Sequence, residues 1–202
     1  MAAPRGPSDE SVLVRQLHLN QFRERVTAGL SGDVVEIGFG SGFNVPYYPA
    51  GVTRVVAIDP DELSWSFAAQ RVAASSVPIE QSGLDGQRLP FPDDTFDSAL
   101  STWTLCSIPD ADAALKELQR VLKPEGRFHF VEHGLHPDPK TRRSQRRIEP
   151  IYRRVTGGCH LTRQMRDLIA GSGFEFVEVD EFVDPQVPKI AGSTTLGVAT
   201  TT

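Results

Sequence analysis

Two carboxylates bracket the stretch of this chain with the clearest chemistry. Glu36 opens the run Glu36-Ile37-Gly38-Phe39-Gly40-Ser41-Gly42, and Asp59-Pro60 follows it. The glycines remove Cβ atoms and permit positive φ, so a ligand can press against the backbone and face its N–H groups. The pattern is E-x-G-x-G-x-G, not the G-x-G-x-x-G whose third glycine opens a helix under a pyrophosphate. A carboxylate just before the loop repels phosphate and attracts a cation, directly or through water, so the ligand implied has no pyrophosphate. A glycine loop alone also serves as a plain strand-to-helix turn. Asp59 adds weight, because an acid about twenty residues beyond such a loop can accept both hydroxyls of a ribose; its alternative is a turn residue before Pro60. Further on, Leu84-Asp85-Gly86 offers a carboxylate for an adenine amino group and an apolar side chain for its ring, against the alternative of a solvated turn. Thr102 closes the pocket toward a second substrate.

Other reactive side chains lie on that second-substrate side. His133 is the candidate general base if an acceptor must lose a proton, and His160 is a second; the alternative for each is a structural histidine. Glu132-His133-Gly134-Leu135-His136 contains H-x-x-H, but no further ligand set is evident, so no metal site is expected. Cys106 and Cys159 form no C-x-x-C pair and are expected to be reduced, buried core thiols. Phe43, Trp103 and Leu105 offer apolar walls, or plain core packing. Lys140, Arg142, Arg143, Arg146, Arg147, Arg153 and Arg154 crowd one segment. That reads as a solvated helix face, or as a lid attracting an anionic acceptor or a membrane surface.

The elements that must position these groups follow from patterning. Ser8 or Asp9 caps a helix running to about Leu30, with Leu13, Leu17, Phe22 and Val26 near one stripe and Gly32 as its stop. Asp33 to Ile37 and Arg54 to Ile58 are short β-branched runs ending at the glycine loop and at Asp59. Helices are expected over Asp61 to Ala74 and Asp110 to Leu122, the second ended by Lys123, Pro124 and Gly126. Strands are expected at Val77 to Gln81, Phe96 to Ser101 and Arg127 to Glu132. Alternating strands and helices imply an α/β domain, with a mostly parallel sheet covered on both faces. Ligands then bind beyond the carboxyl ends of the strands, where strand order reverses.

Composition narrows the class. The 202 residues suit a single domain. A formal charge of −5 argues against nonspecific nucleic-acid binding. No apolar run approaches the roughly 18 residues that span a bilayer, and the acidic start MAAPRGPSDE is expected to be a short leader, not a targeting peptide. A cytoplasmic protein is expected.

Taken together, VVEIGFGSG, VVAIDP, LPFPDDTFD and LQRVLKPEGRF resemble the class I S-adenosylmethionine-dependent methyltransferases, over Val34 to Glu132. The resemblance implies a Rossmann-like seven-stranded sheet with its last strand antiparallel, with Phe174 to Val183 and Thr194 to Thr200 as strands six and seven. Residues 1–31 would form a leader and helix, and residues 134–172 a lid or acceptor insertion. The cofactor would be S-adenosylmethionine, leaving as S-adenosylhomocysteine. It would be held by Glu36, Gly38, Phe39, Gly40, Gly42, Asp59, Pro60, Leu84, Asp85 and Thr102. Thr102 to Ser107, Val131-Glu132-His133 and Gly157 to Arg163 are similar to an alkyl-thiol methyltransferase subgroup. Its animal members carry a hydrophobic N-terminal membrane segment, which is not expected here. Bacterial relatives of similar pattern include enzymes that methylate quinone precursors and phospholipid head groups. The chemistry implied is in-line displacement onto a small-molecule acceptor. Alignment can contribute on the order of 7–11 kcal/mol to such a step. A nicotinamide oxidoreductase is disfavoured by the glycine spacing, and a non-enzymatic S-adenosylmethionine-binding protein is a remaining alternative.

Overall fold

A computed structural model describes residues 9–83 and 85–201. Seven strands form one sheet in the order β3-β2-β1-β4-β5-β7-β6. They are β1 (Gly32–Ile37), β2 (Val52–Ile58), β3 (Ile79–Ser82), β4 (Phe96–Thr102), β5 (Leu122–His133), β6 (Glu175–Val183) and β7 (Ser193–Thr200). The first five run parallel, and β7 lies antiparallel between β5 and β6. This is the class I methyltransferase fold.

Both faces of the sheet are covered because successive side chains on a strand point to opposite sides. Val35, Ile37, Phe128 and Phe130 pack with α3 (Ala111–Val121) and α5 (Met165–Gly171). Val34, Val55, Ala57 and Val131 pack on the other side with α1 (Asp9–Thr27) and α2 (Glu62–Ala73). Asp61 and Asp110 cap α2 and α3 by accepting from Leu63 N and Ala113 N. These bonds satisfy N–H groups that have no partner inside the helix.

Several expected boundaries move. The first helix ends at Thr27 rather than Leu30, and Gly32 opens β1 with φ of 65° instead of stopping the helix. A side chain at Gly32 would collide with the Asp97 carboxylate, at 2.3 Å. Ser8 lies outside the described residues. The fifth strand begins at Leu122, not Arg127, because the chain enters the sheet straight from α3 and then bulges. Lys123 to Gly126 form that bulge, with Glu125 at φ of 63°. The stretch expected to form an insertion holds α4 (Pro139–Val155), with Pro150 inside it, and α5. Among the described residues, no helix is long and apolar enough to cross a membrane.

Candidate active site

Strand order reverses between β1 and β4, and a cavity of about 440 Å³ opens beyond their carboxyl ends. That volume lies within the roughly 300–1,000 Å³ usual for small-molecule sites. Of the residues singled out from sequence, Gly38, Asp59, Pro60 and Asp85 line it. Ile37, Ile58 and Ile108 add apolar surface, and Trp103, Thr104 and Gly157 complete the wall. A second hollow of about 540 Å³ is lined by charged Asp112, Arg146, Arg163 and Asp167. Apart from Leu135, just past β5, its lining comes from α3, α4, α5 and the loop before α5, so position favours the smaller cavity.

The glycine loop is tied to the neighbouring strand. Gly38 N and Phe39 N both donate to Ile58 O, at 2.8 and 3.2 Å. Gly38 has φ of 68°, and a Cβ there would sit 2.0 Å from Thr104 Oγ1. Gly40 has φ of 55°, and a Cβ there would meet nothing nearer than Gly38 O at 3.9 Å. Its N–H donates to Asp59 Oδ2 at 2.7 Å, while Asp61 N donates to Oδ1 at 2.9 Å. Asp59 is therefore fixed by two backbone donors, and each oxygen keeps a lone pair for a diol. Asp85 accepts from Gln87 N at 3.0 Å and from the Gln87 side-chain amide. Leu84 lies outside the described residues.

Other expected contacts sit beneath the cavity. Phe39 is buried and stacks on Trp65, and Gly42 packs under Phe39 and Ala68. Glu36 is wholly buried, with Asn44 Nδ2 donating to Oε1 at 2.9 Å and the Tyr48 hydroxyl to Oε2. Burial raises its pKa from 4.5 to about 7. Thr102 Oγ1 faces the same cluster, accepting from Asn44 Nδ2 at 3.0 Å. Sequence reasoning missed the cation in this cluster. Arg23, on α1, donates to Asn44 Oδ1 at 2.8 Å, and its guanidinium carbon lies 4.8 Å from the Trp103 ring centre. Burial lowers its pKa to about 10. Phe43 lies between Arg23 and Arg71, and Leu105 is core.

The loop after β4 forms the far wall, and a second missed residue holds it. Glu132 is fully buried and accepts from Ser101 Oγ at 2.7 Å and from the backbone of Thr104, Leu105 and Cys106 at 3.1 Å each. Burial pushes its carboxyl pKa up. Trp103, at φ of 53°, turns the chain into this nest. Arg163 grips the outer side through the carbonyls of Leu105, Ile108 and Pro109.

His133 ends β5 with Nδ1 4.0 Å from Cys106 Sγ and 3.9 Å from Cys159 Sγ. Both thiols are free and buried, as expected, yet they converge on one imidazole, which spacing did not reveal. The proton shared between them pushes Cys106 up and Cys159 down. His136 does not join His133; its Nδ1 accepts from Asp138 N at 3.0 Å. His160 turns away to Glu149 at 3.3 Å, and its backbone N donates to Cys106 O at 2.7 Å.

Comparison with known proteins bears on the class of domain. Residues 35–130 match the family model described as a methyltransferase domain. The chain is 33% identical over 160 residues to a thiol S-methyltransferase, TMT1B, of Rattus norvegicus; the match covers 75% of this chain and 64% of that protein. It is 29% identical over 164 residues to the human thiol S-methyltransferase TMT1A, covering 78% and 67%. The chain thus spans less than two thirds of the length of the TMT1B protein it matches. Its fold is similar to the N-methyltransferase NodS of Bradyrhizobium japonicum crystallised with S-adenosylhomocysteine. The TM-score there is 0.66 at 17% identity, covering 93% of this chain and 86% of that one. The chain therefore carries a class I methyltransferase domain, of the kind that uses S-adenosylmethionine.

Proposed function

We propose that this protein transfers a methyl group from S-adenosylmethionine to the sulfur of a small thiol. The observation that carries the cofactor half is Asp59, anchored by Gly40 N and Asp61 N at the switch point with lone pairs left for a diol. When bound, the cofactor supplies a methyl group made electrophilic by a sulfonium. The residues present fit it. Asp59 takes the ribose hydroxyls, Gly40 leaves the main chain open, Gly38 lets Thr104 pack against the loop, and Ile37, Ile58 and Ile108 face an adenine whose amino group Asp85 accepts. Gly42, Phe39 and Pro60 shape the loop and turn. Glu36 and Arg23 set the charge under the amino-acid end, which is itself a zwitterion, and Thr102 joins them through Asn44.

The acceptor half is supported by the names of the relatives and by the position of His133. An alkyl thiol must lose its proton to become the nucleophile, and a neutral imidazole within reach can act as the general base. His133 holds that proton while the Trp103 to Pro109 loop excludes water and confines the sulfur. The two free thiols suit a reducing compartment, so the cytoplasm is the proposed place of action.

The test is a panel of alkyl thiols, quinols, phenols and amines with methyl-labelled cofactor, read by mass spectrometry of the products. Labelled thioether is expected. Label on a quinol or an amine head group alone would replace the thiol assignment, and cofactor binding without any transfer would favour a non-enzymatic role.

A further inference from the structure

Cys106, His133 and Cys159 come from three separate elements: the loop after β4, the end of β5 and the loop after α4. Their ligating atoms all lie within 4.8 Å of one another. Zinc binds thiolate sulfur at about 2.3 Å and imidazole nitrogen at about 2.0–2.1 Å, so a sulfur and a nitrogen on one tetrahedral ion stand about 3.5 Å apart. The two sulfur–nitrogen separations here, 4.0 and 3.9 Å, exceed that by about half an ångström.

The supports of the cluster are rigid. Cys106 is fixed on both sides of its peptide, by Glu132 Oε2 on its N–H at 3.1 Å and His160 N on its carbonyl at 2.7 Å. The loop bearing Cys159 is pressed against it. Gly158 has φ of 102°, and a Cβ there would lie 2.9 Å from Ser107 O. Such support is what holds metal ligands in place. Two thiolates also neutralise a divalent cation, which suits a site where both cysteines are buried.

We propose that Cys106, His133 and Cys159 bind a zinc ion with one coordination position open, and that this position takes the acceptor sulfur as a thiolate. The second half rests on the thiol reading above. Three protein ligands, two cysteines and a histidine, are a known catalytic zinc set, whereas structural sites use four. The cluster contains no fourth such residue among those described. Its neighbours reach the cavity: Trp103, Ser107 and Gly157 line the cavity wall, the Trp103 ring centre is 6.3 Å from the imidazole, and His133 is only partly buried. Zinc binding releases the two cysteine protons. With zinc bound, His133 would serve as a ligand instead of the base, and the thiol proton would leave to water. The sulfur then forms its bond to the methyl carbon as the carbon–sulfonium bond breaks, giving a neutral thioether, S-adenosylhomocysteine and one net proton. The neutral thioether is a weaker ligand than the thiolate and departs.

The protein, purified without chelators, is assayed for metal by mass spectrometry. Chelator-treated protein is titrated with Zn²⁺ and, separately, with Co²⁺ followed by an alkyl thiol. One zinc per chain is expected, as are a thiolate-to-cobalt charge-transfer band and a change in that band on adding the thiol. Cys106→Ser and Cys159→Ser should each lose stoichiometric zinc while still binding S-adenosylhomocysteine, which reports the fold. Wild-type protein that binds no Zn²⁺, or that joins Cys106 to Cys159 in a disulfide instead, would overturn the site. Zinc binding with a cobalt spectrum unmoved by thiol would overturn the open position. Undiminished thiol methylation by zinc-free protein would overturn the zinc role while leaving the thiol reading intact.

Discussion

Replacing Glu36 by glutamine isolates one buried charge. The side chain is completely enclosed, and its oxygens accept from Asn44 and Tyr48. Glutamine keeps the shape, and its amide can still accept from Asn44 while donating to the Tyr48 oxygen. Moving the carboxyl pKa from 4.5 to about 7 corresponds to about 3 kcal/mol, at about 1.4 kcal/mol per pH unit. The sign follows from proton counting. Between these two values the folded state holds a proton that the unfolded state has lost, so wild-type stability falls as pH rises through that window. Below it the carboxyl is neutral in both states and glutamine changes little; above it glutamine removes the whole cost. The variant should therefore gain up to about 3 kcal/mol near pH 8.5 and under about 1 kcal/mol near pH 5. His129 titrates with the opposite sense: burial lowers its pKa to about 4, so its stabilisation is lost as pH falls below 6.5. For that reason the difference between variant and wild type is the quantity to measure. Urea denaturation of both proteins at the two pH values supplies it. Cofactor affinity in the wild type should also fall as pH drops through about 7, and stay flat in the variant. An equal stability difference at both pH values would refute the buried-charge argument.

Other perturbations test neighbouring parts of the account. Asp59→Ala removes two charge-assisted bonds to a diol, each worth about 1.5–3 kcal/mol, so cofactor affinity should drop by about a hundredfold or more; wild-type affinity in fluorescence titration would remove the ribose assignment. Gly38→Ala forces a side chain into a left-handed backbone and against Thr104 Oγ1. A loss of about 1–3 kcal/mol is expected in thermal unfolding, and an unchanged melting temperature would show that the loop relaxes freely. On α4, Ile148, Ile151 and Val155 are exposed among arginines. Arg143→Gln with Arg146→Gln and Arg147→Gln should reduce binding to anionic vesicles or to anionic acceptors, and unchanged binding would make the helix an ordinary solvated face.

The parts of the site that sequence revealed are those coded within one strand and its loop. Glycines at 38, 40 and 42 and the acid at 59 follow β-branched runs directly, so the strand ends place them without knowledge of packing. The convergence of Cys106 and Cys159 on His133 was hidden because the partners are 26 and 27 residues from the histidine. Only the order of strands brings their loops together. Arg23 was hidden for a related reason: which turn of α1 meets the glycine loop depends on how the helix lies on the sheet. Glu132 reads as an end-of-strand acid, yet its work is to gather three backbone N–H groups of the neighbouring loop, a role no local pattern encodes. The early start of β5 was missed because Pro124 and Gly126 look like a break, whereas the sheet absorbs them as a bulge at Glu125.

Calorimetric titration of the purified protein with S-adenosylmethionine, S-adenosylhomocysteine and NADH tests the claim on which the rest depends. The account predicts saturable one-to-one uptake of the first two ligands and no heat from the third. Silence with both sulfur ligands, or saturation by NADH alone, would contradict it.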